Sequence, residues 1–181
     1  MKSLKFELFL FIILSVFSTS VIGQNRKGNY FNKIKIGFLP GLDNQDVSAF
    51  NKQRGTELSF INGIYLGPQT AVGIGIGSAA YIDPTISMYP VYADFEYYFR
   101  NKKNTPFVYS KLGYAFTITE NINGGMMGGV GAGWRFKSGK NGYWGLETGY
   151  RHQQYGYDFV NAPGGSTDRI RSLSIAVNFS F

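Results

Sequence analysis

Cysteine is absent from all 181 residues, which excludes disulfides, thiolate metal sites, thiol catalysis and lipid anchoring on a cysteine. Histidine occurs once, at His152, too few for an imidazole cluster. Proline is scarce, at six, and charged residues make up only 16%. Past the first 23 residues no apolar run approaches the ~20 residues of a helical membrane span. Glycine, at 24, and aromatics, at 16 Phe, 13 Tyr and 2 Trp, take the space instead. Such usage suits strands and tight turns rather than helices.

Residues 1–23 have the three parts of an export signal: Lys2 and Lys5 at the start, an apolar stretch from Leu8 to Phe17, and a small-residue exit at Ser18 to Gly23. Glu7 is unusual so near the apolar stretch. An uncleaved anchor is the alternative, but that stretch is short for a spanning helix. Cleavage is expected before Gln24, leaving 24–181 as a single domain. The chain carries a formal net charge of +7. A basic surplus can mark nucleic-acid binding, but an exported chain meets little nucleic acid.

Alternating segments then recur between turn-type residues, at 32–39, 55–66, 71–82, 89–99, 106–116, 126–136, 143–153 and 169–181. The last is the clearest: Leu173, Ile175, Val177, Phe179 and Phe181 share one face, and Ser174, Ala176, Asn178 and Ser180 the other. The strand lengths suit a tilted crossing of a bilayer. Connections at 67–70, 100–105 and 137–142 are short, those at 40–54 and 154–168 are long, and 83–88 and 118–125 are intermediate. Short turns at one end and longer loops at the other are the habit of outer-membrane barrels. The segment 55–66 fits less well, because Asn62 interrupts its apolar set while Ile61 falls inward. A bulge near Gly63 or a shifted boundary would repair it.

Eight alternating strands also describe a soluble barrel with its oily face inside. Three features favour the opposite orientation. Gly73, Gly75, Gly77, Gly129, Gly131 and Gly133 crowd the non-apolar face, as a narrow lumen requires. The same face carries the strand-interior charges Lys35, Glu57, Asp94, Glu96, Lys111, Arg135, Glu147 and Arg151, four of each sign. The other face reads Val91, Phe95, Tyr97, Phe99, Trp134, Phe136, Trp144 and Tyr150, its aromatics bunched toward the short turns as an interfacial girdle. The fold expected is an all-β, eight-stranded antiparallel up-and-down transmembrane barrel.

The run Tyr89-Pro90-Val91-Tyr92-Ala93-Asp94-Phe95-Glu96-Tyr97-Tyr98-Phe99, followed by Lys102-Lys103 and Thr105-Pro106-Phe107, resembles the small outer-membrane β-barrel family, of the OmpX and OmpA-barrel type. Val72-Gly73-Ile74-Gly75, Gly149-Tyr150-Arg151 and Phe181 agree with it. The resemblance implies the outer membrane, with both termini periplasmic, a monomer surrounded by membrane lipid, and insertion by the barrel-assembly machinery. By the same resemblance Phe181 belongs to the signal that machinery reads, with Phe99, Trp134, Phe136, Trp144 and Phe179 in the girdle. The family has no single activity to transfer.

Candidate chemistry is sparse. His152 stands at the loop end of its strand, facing outward, where some eight-stranded barrels carry a lipid A-modifying His, Ser and carboxylate. The residues after it are Gln153, Gln154 and Tyr155, so no hydroxyl nucleophile follows at the expected spacing. Asp83 is followed by Pro84, not by the Ser of an Asp-Ser pair. The glycines of 124–129 and 139–142 lack phosphate-loop spacing. Asp43 and Asp46 share a loop but make a thin calcium site. Arg100, Lys102, Lys103, Lys137 and Lys140 form a basic rim at the short turns.

No enzyme, cofactor or metal site is expected. The inward charges read as a closed, mutually paired core, with Tyr92, Tyr98, Tyr109 and Tyr143 adding bulk. The leading expectation is a structural or adhesive outer-membrane protein that meets a ligand through loops 40–54 and 154–168, with Phe50, Tyr155, Tyr157 and Phe159 as contacts. A small pore or an accessory of transport or secretion is the alternative, and a lipid A-modifying enzyme the third.

Overall fold

A computed structural model describes residues 30–42, 54–82, 85–119, 122–139, 142–157 and 166–181. The export signal and the residues up to Asn29 lie outside the described residues. Eight long strands follow one another: β1 (Tyr30–Leu39), β2 (Gly55–Tyr65), β3 (Thr70–Tyr81), β4 (Ile86–Tyr98), β5 (Thr105–Thr117), β6 (Gly125–Ser138), β7 (Gly142–Tyr157) and β8 (Ser166–Ser180). Each pairs antiparallel with the next, and β8 returns to β1, with Lys33 opposite Ser180 and Phe38 opposite Ile175. At that seam the Asn32 and Phe181 backbones exchange two hydrogen bonds of 2.9 Å. Closure removes the free strand edges an open sheet would expose. The chain is an eight-stranded antiparallel up-and-down barrel.

Alternation decides which side chains see the inside. In β1 the buried Phe31, Lys33, Lys35, Gly37 and Leu39 point inward, while Ile34, Ile36 and Phe38 are exposed outward. Around the ring the exposed set continues with Leu58, Ile74, Val91, Phe95, Leu112, Val130, Leu146 and Val177. So continuous a band far exceeds the ~300–600 Å² apolar patch of a soluble monomer. A transmembrane barrel puts that band against lipid, where all its backbone groups are paired.

β2 needs no bulge. Its register against β1 runs unbroken from Leu39–Gly55 to Tyr30–Ile64, so Ile61 is inward and Asn62 outward by simple parity. Asn62 sits opposite Asn32, and its Nδ2 donates to Asn32 Oδ1 at 2.7 Å, which satisfies both amides on the outer wall. The irregular step is elsewhere. Pro90 has no N–H to give, and the β3–β4 pairing passes from Ile76–Val91 to Ala79–Met88 without the pairs between.

The glycines make room for rings. A Cβ on Gly131 would lie 2.6 Å from the Tyr109 ring, and one on Gly133 would lie 2.6 Å from that of Phe107. Gly75 is covered in the same way by Tyr92, and Gly63 by Phe31. Gly139, in the turn after β6, has φ +62°, the left-handed region that glycine enters without penalty.

The expected connections 40–54, 83–88, 118–125 and 154–168 each give residues up to strand pairing, β4 starting already at Ile86. β7 runs on to Tyr157 and β8 starts at Ser166, so Gln154 to Tyr157 and Ser166 to Asp168 pair as strand instead of forming loop. Ile122–Asn123 is a short strand laid against Tyr157 and Gly156. Gly41 bridges Ser172, extending β1 past Leu39. Residues 43–53 and 158–165 lie outside the described residues.

Candidate functional site

Inside the barrel the side chains sort into three layers. At the short-turn end Phe31, Tyr65, Tyr98 and Phe107 form a chain of tilted rings, with centroids 5.1 Å (Phe31–Tyr65), 6.2 Å (Tyr65–Tyr98) and 5.4 Å (Tyr98–Phe107) apart. At the loop end Leu39, Ala79, Tyr81, Ile86, Met88, Ala115, Tyr155 and Ile170 make a second buried apolar layer. Between them lies the charge.

Seven of the eight expected lumen charges are buried there: Lys35, Glu57, Asp94, Glu96, Lys111, Glu147 and Arg151. Lys35 Nζ stands 2.5 Å from Glu57 Oε1, and Arg151 donates to the other oxygen of that carboxylate. Lys111 lies 3.9 Å from Asp94 and 3.8 Å from Glu147. Glu147 is the centre of the belt. Lys35 is 3.8 Å from it and Lys33 4.0 Å, and Asn178 Nδ2 donates to its Oε1 at 2.6 Å. Glu96 pairs with Lys33 and accepts from the Tyr98 hydroxyl. Taking carboxylates and ammonium groups out of water is tolerable only with partners of this kind.

Arg135 departs from the expectation of carboxylate pairing. It is half-buried at the short-turn end, with its guanidinium carbon 3.9 Å from the Tyr98 centroid and 4.6 Å from that of Tyr143, and it donates to Tyr65 Oη at 3.3 Å. It caps the ring layer as a stacked cation. Lys33, absent from the expected set, replaces it in the belt. Its parity with Lys35 on β1 was the available signal. Among the described residues the belt and the ring layer therefore hold five cations and four carboxylates.

Among the described residues the belt side chains fill most of the lumen between the two apolar layers. A cavity within the belt, among Lys35, Glu57, Tyr92, Tyr109, Lys111 and Arg151, measures about 10 Å³. That is the room of roughly one water molecule.

The aromatic residues expected at the short-turn rim do gather there on the outer wall. Trp134 and Phe136 are 6.5 Å apart, Trp144 and Phe179 4.9 Å, and Phe179 and Phe181 5.9 Å. Phe99 is exposed beside Tyr97, at 5.7 Å. Aromatics also stand toward the loop end, with Tyr114 and Phe116 edge to face at 5.1 Å. Arg100, Lys102, Lys103 and Lys137 are exposed at the short turns, and Lys140 lies outside the described residues.

At the loop end, His152 faces outward, with Gly128 and Arg171 as its register neighbours. Neither offers the hydroxyl or carboxylate that a hydrolytic triad needs. Tyr155, expected in an exposed loop, is buried in the upper apolar layer, and its hydroxyl donates to Asp168 at 3.1 Å. Of the other loop aromatics, Phe50 and Phe159 lie outside the described residues, as do Asp43 and Asp46. Among the described residues no three His, Asp or Glu cluster as metal ligands.

No protein-family model matches the sequence. No curated protein matches it either. Solved structures do. Neisserial surface protein A superposes with a TM-score of 0.58 at 14% identity, covering 83% of this chain and 95% of that one. The outer membrane protein OprG from Pseudomonas aeruginosa superposes with a TM-score of 0.50 at 11% identity, covering 87% of this chain and 98% of that one. Identity so low carries the architecture and nothing finer. With its closed ring of eight strands and its lipid-facing outer wall, the chain has the fold of the small eight-stranded outer-membrane β-barrels.

Proposed function

We propose that the chain is an exported, integral outer-membrane protein whose barrel is a closed, non-conducting and non-enzymatic anchor. It is inserted by the barrel-assembly machinery and presents its loop end outward for a structural or adhesive role. The observation that carries this reading is the filled lumen, in which a paired charge belt lies between two apolar layers and surrounds a cavity of only about 10 Å³. Eight strands enclose just enough space for side chains to fill. The fold likeness supports the outer membrane as its location.

The short turns at one end and the longer connections at the other support periplasmic termini. Cleavage before Gln24 would release the barrel into the periplasm, with Phe181 read there as an insertion residue. A binding role at the loop end draws on 40–54 and 158–165, since 154–157 and 166–168 belong to strands.

Planar-bilayer recording of the purified full chain tests the closed lumen. No stable conductance is expected, and reproducible ohmic steps would replace the anchor with a small pore. Maleimide labelling of intact cells carrying a cysteine in 158–165 tests the orientation. Labelling without membrane disruption is expected, and its absence would invert the topology.

A further inference from the structure

The outer wall is not uniform around the ring. Near the loop end of β3 to β6 it carries Ile82, Tyr89, Tyr114, Phe116, Ile118 and Met126, with no charge among them. Near the loop end of β7, β8 and the lead into β2 it carries His152, Arg169, Arg171 and Arg54. All four keep outward parity, with Arg169 and Arg54 exposed and Arg171 and His152 half-buried. Arg171 pairs with His152 across the β7–β8 ladder, and Gln154 with Arg169. Cross-strand neighbours of this kind hold their Cβ atoms about 4.5–5.5 Å apart.

Barrel strands tilt by about 35–45°, so residues of equal height lie diagonally across the ladder. The registers of β8 with β1 and of β1 with β2 bring Arg54 level with Arg171, two strands away. Like charges gathered on a lipid-facing wall repel one another unless something neutralises them. No described carboxylate lies within ion-pairing distance of these arginines. Asp168, the nearest acid in sequence, accepts from the Tyr155 hydroxyl and from the Arg169 backbone N–H.

Below this row, across β6, β7, β8 and β1 and so beneath Arg171, the wall is indented. A groove of about 490 Å³ opens on the lipid side, lined by Phe38, Ala132, Leu146, Thr148, Ile175 and Val177 among others. Small side chains at Ala132 and Thr148, opposite one another in the register, make its floor. The volume falls within the ~300–1,000 Å³ of ligand clefts. Tyr150 and Leu173 bridge the distance from the groove to the cations.

We propose that this sector holds one phosphorylated, acylated lipid of the surrounding leaflet. Its phosphate would be bound by Arg171 and Arg54, with Arg169 and His152 at the margin, and one acyl chain would lie in the groove. Two requirements coincide on one side of the barrel: guanidinium groups suited to bidentate phosphate contacts at headgroup height, and an apolar furrow at chain depth. The sector without cations has no such pairing. The assignment rests on the reading that this end lies at the outer leaflet.

The test uses the full chain in nanodiscs of phosphatidylcholine doped in both leaflets with bisphosphorylated lipid A, so its outcome does not depend on which end faces out. Native mass spectrometry after detergent release counts retained lipid. One lipid A per barrel is expected, favoured at least about tenfold over dephosphorylated lipid A with the same chains. The double variant R54A/R171A should abolish that preference. Thr148→Phe, which fills the groove while leaving the arginines, should lower retention of both lipids alike. Equal retention of the two lipids by the unaltered chain would overturn the proposal, as would unchanged preference in R54A/R171A. A dimer mass that Thr148→Phe dissolves would also overturn it, because a second barrel would then occupy the groove. Excess inorganic phosphate should not displace the lipid, and displacement would reduce the site to an anion site without a chain. Heat-modifiable gel mobility confirms that each variant is folded, and the labelling of 158–165 decides the orientation separately.

Discussion

The two faces of the same strands follow different rules. Inside, Glu147 is in reach of Lys33, Lys35, Lys111 and Asn178, and the removal of any one charged member leaves the others with an unmatched charge. Outside, Ile74 or Leu112 touches mostly lipid, and any apolar side chain of moderate size would serve. Size behaves the same way. A ring inside needs a glycine across from it, as Tyr109 needs Gly131, whereas outward residues such as Ile74 and Leu112 stand largely exposed. The interior is specified residue by residue, and the exterior by class.

Three substitutions separate these rules, in descending order of effect. Glu147→Ala leaves four belt cations facing three carboxylates and should cost about 3–5 kcal/mol, the range for breaking one side of a buried pair. Urea unfolding of the barrel in lipid vesicles reads it, and a midpoint equal to that of the unaltered chain would mean that the belt is dispensable. Ile74→Arg places a charge on the lipid face near mid-membrane. It should cost about 2–4 kcal/mol in a bilayer. In detergent micelles the loss should shrink, and an equal loss in both media would show that the position is not lipid-facing. Gly131→Ala asks the Tyr109 ring and the Thr148 carbonyl to move. A cost of about 1–3 kcal/mol is expected, as for other overpacked cores. Restoration by Tyr109→Phe or a smaller side chain would tie the effect to the ring, and no rescue would tie it to the backbone.

Strand number, order and facing were legible because a period of two survives in every segment, and because charge within the apolar band appears on only one of the two faces. Height was not. Arg135 shares a face with Lys111, yet inter-strand stagger places it among rings instead of carboxylates, and single-strand parity holds no information on stagger. Tyr155 was expected in the loop 154–168, but strands of this barrel continue past the apolar band, where lipid no longer dictates their outward side chains. Asn62 misled for the opposite reason: its partner Asn32 lies on another strand, so its satisfaction is invisible locally. Lys33 was the avoidable omission, two residues from Lys35 on the same side.

The charge belt draws its members from β1, β2, β4, β5 and β7, and no hairpin pairs all of its own belt charges within itself. β1 with β2 carries two lysines for one glutamate, and β4 carries two acids alone. A partly built sheet would thus bring unmatched charges toward hydrocarbon, at a cost that vanishes only when β8 reaches β1. Ring closure and charge neutralisation become one event. The order of assembly follows: an open intermediate keeps its inner face wet, and dehydration of the lumen comes last.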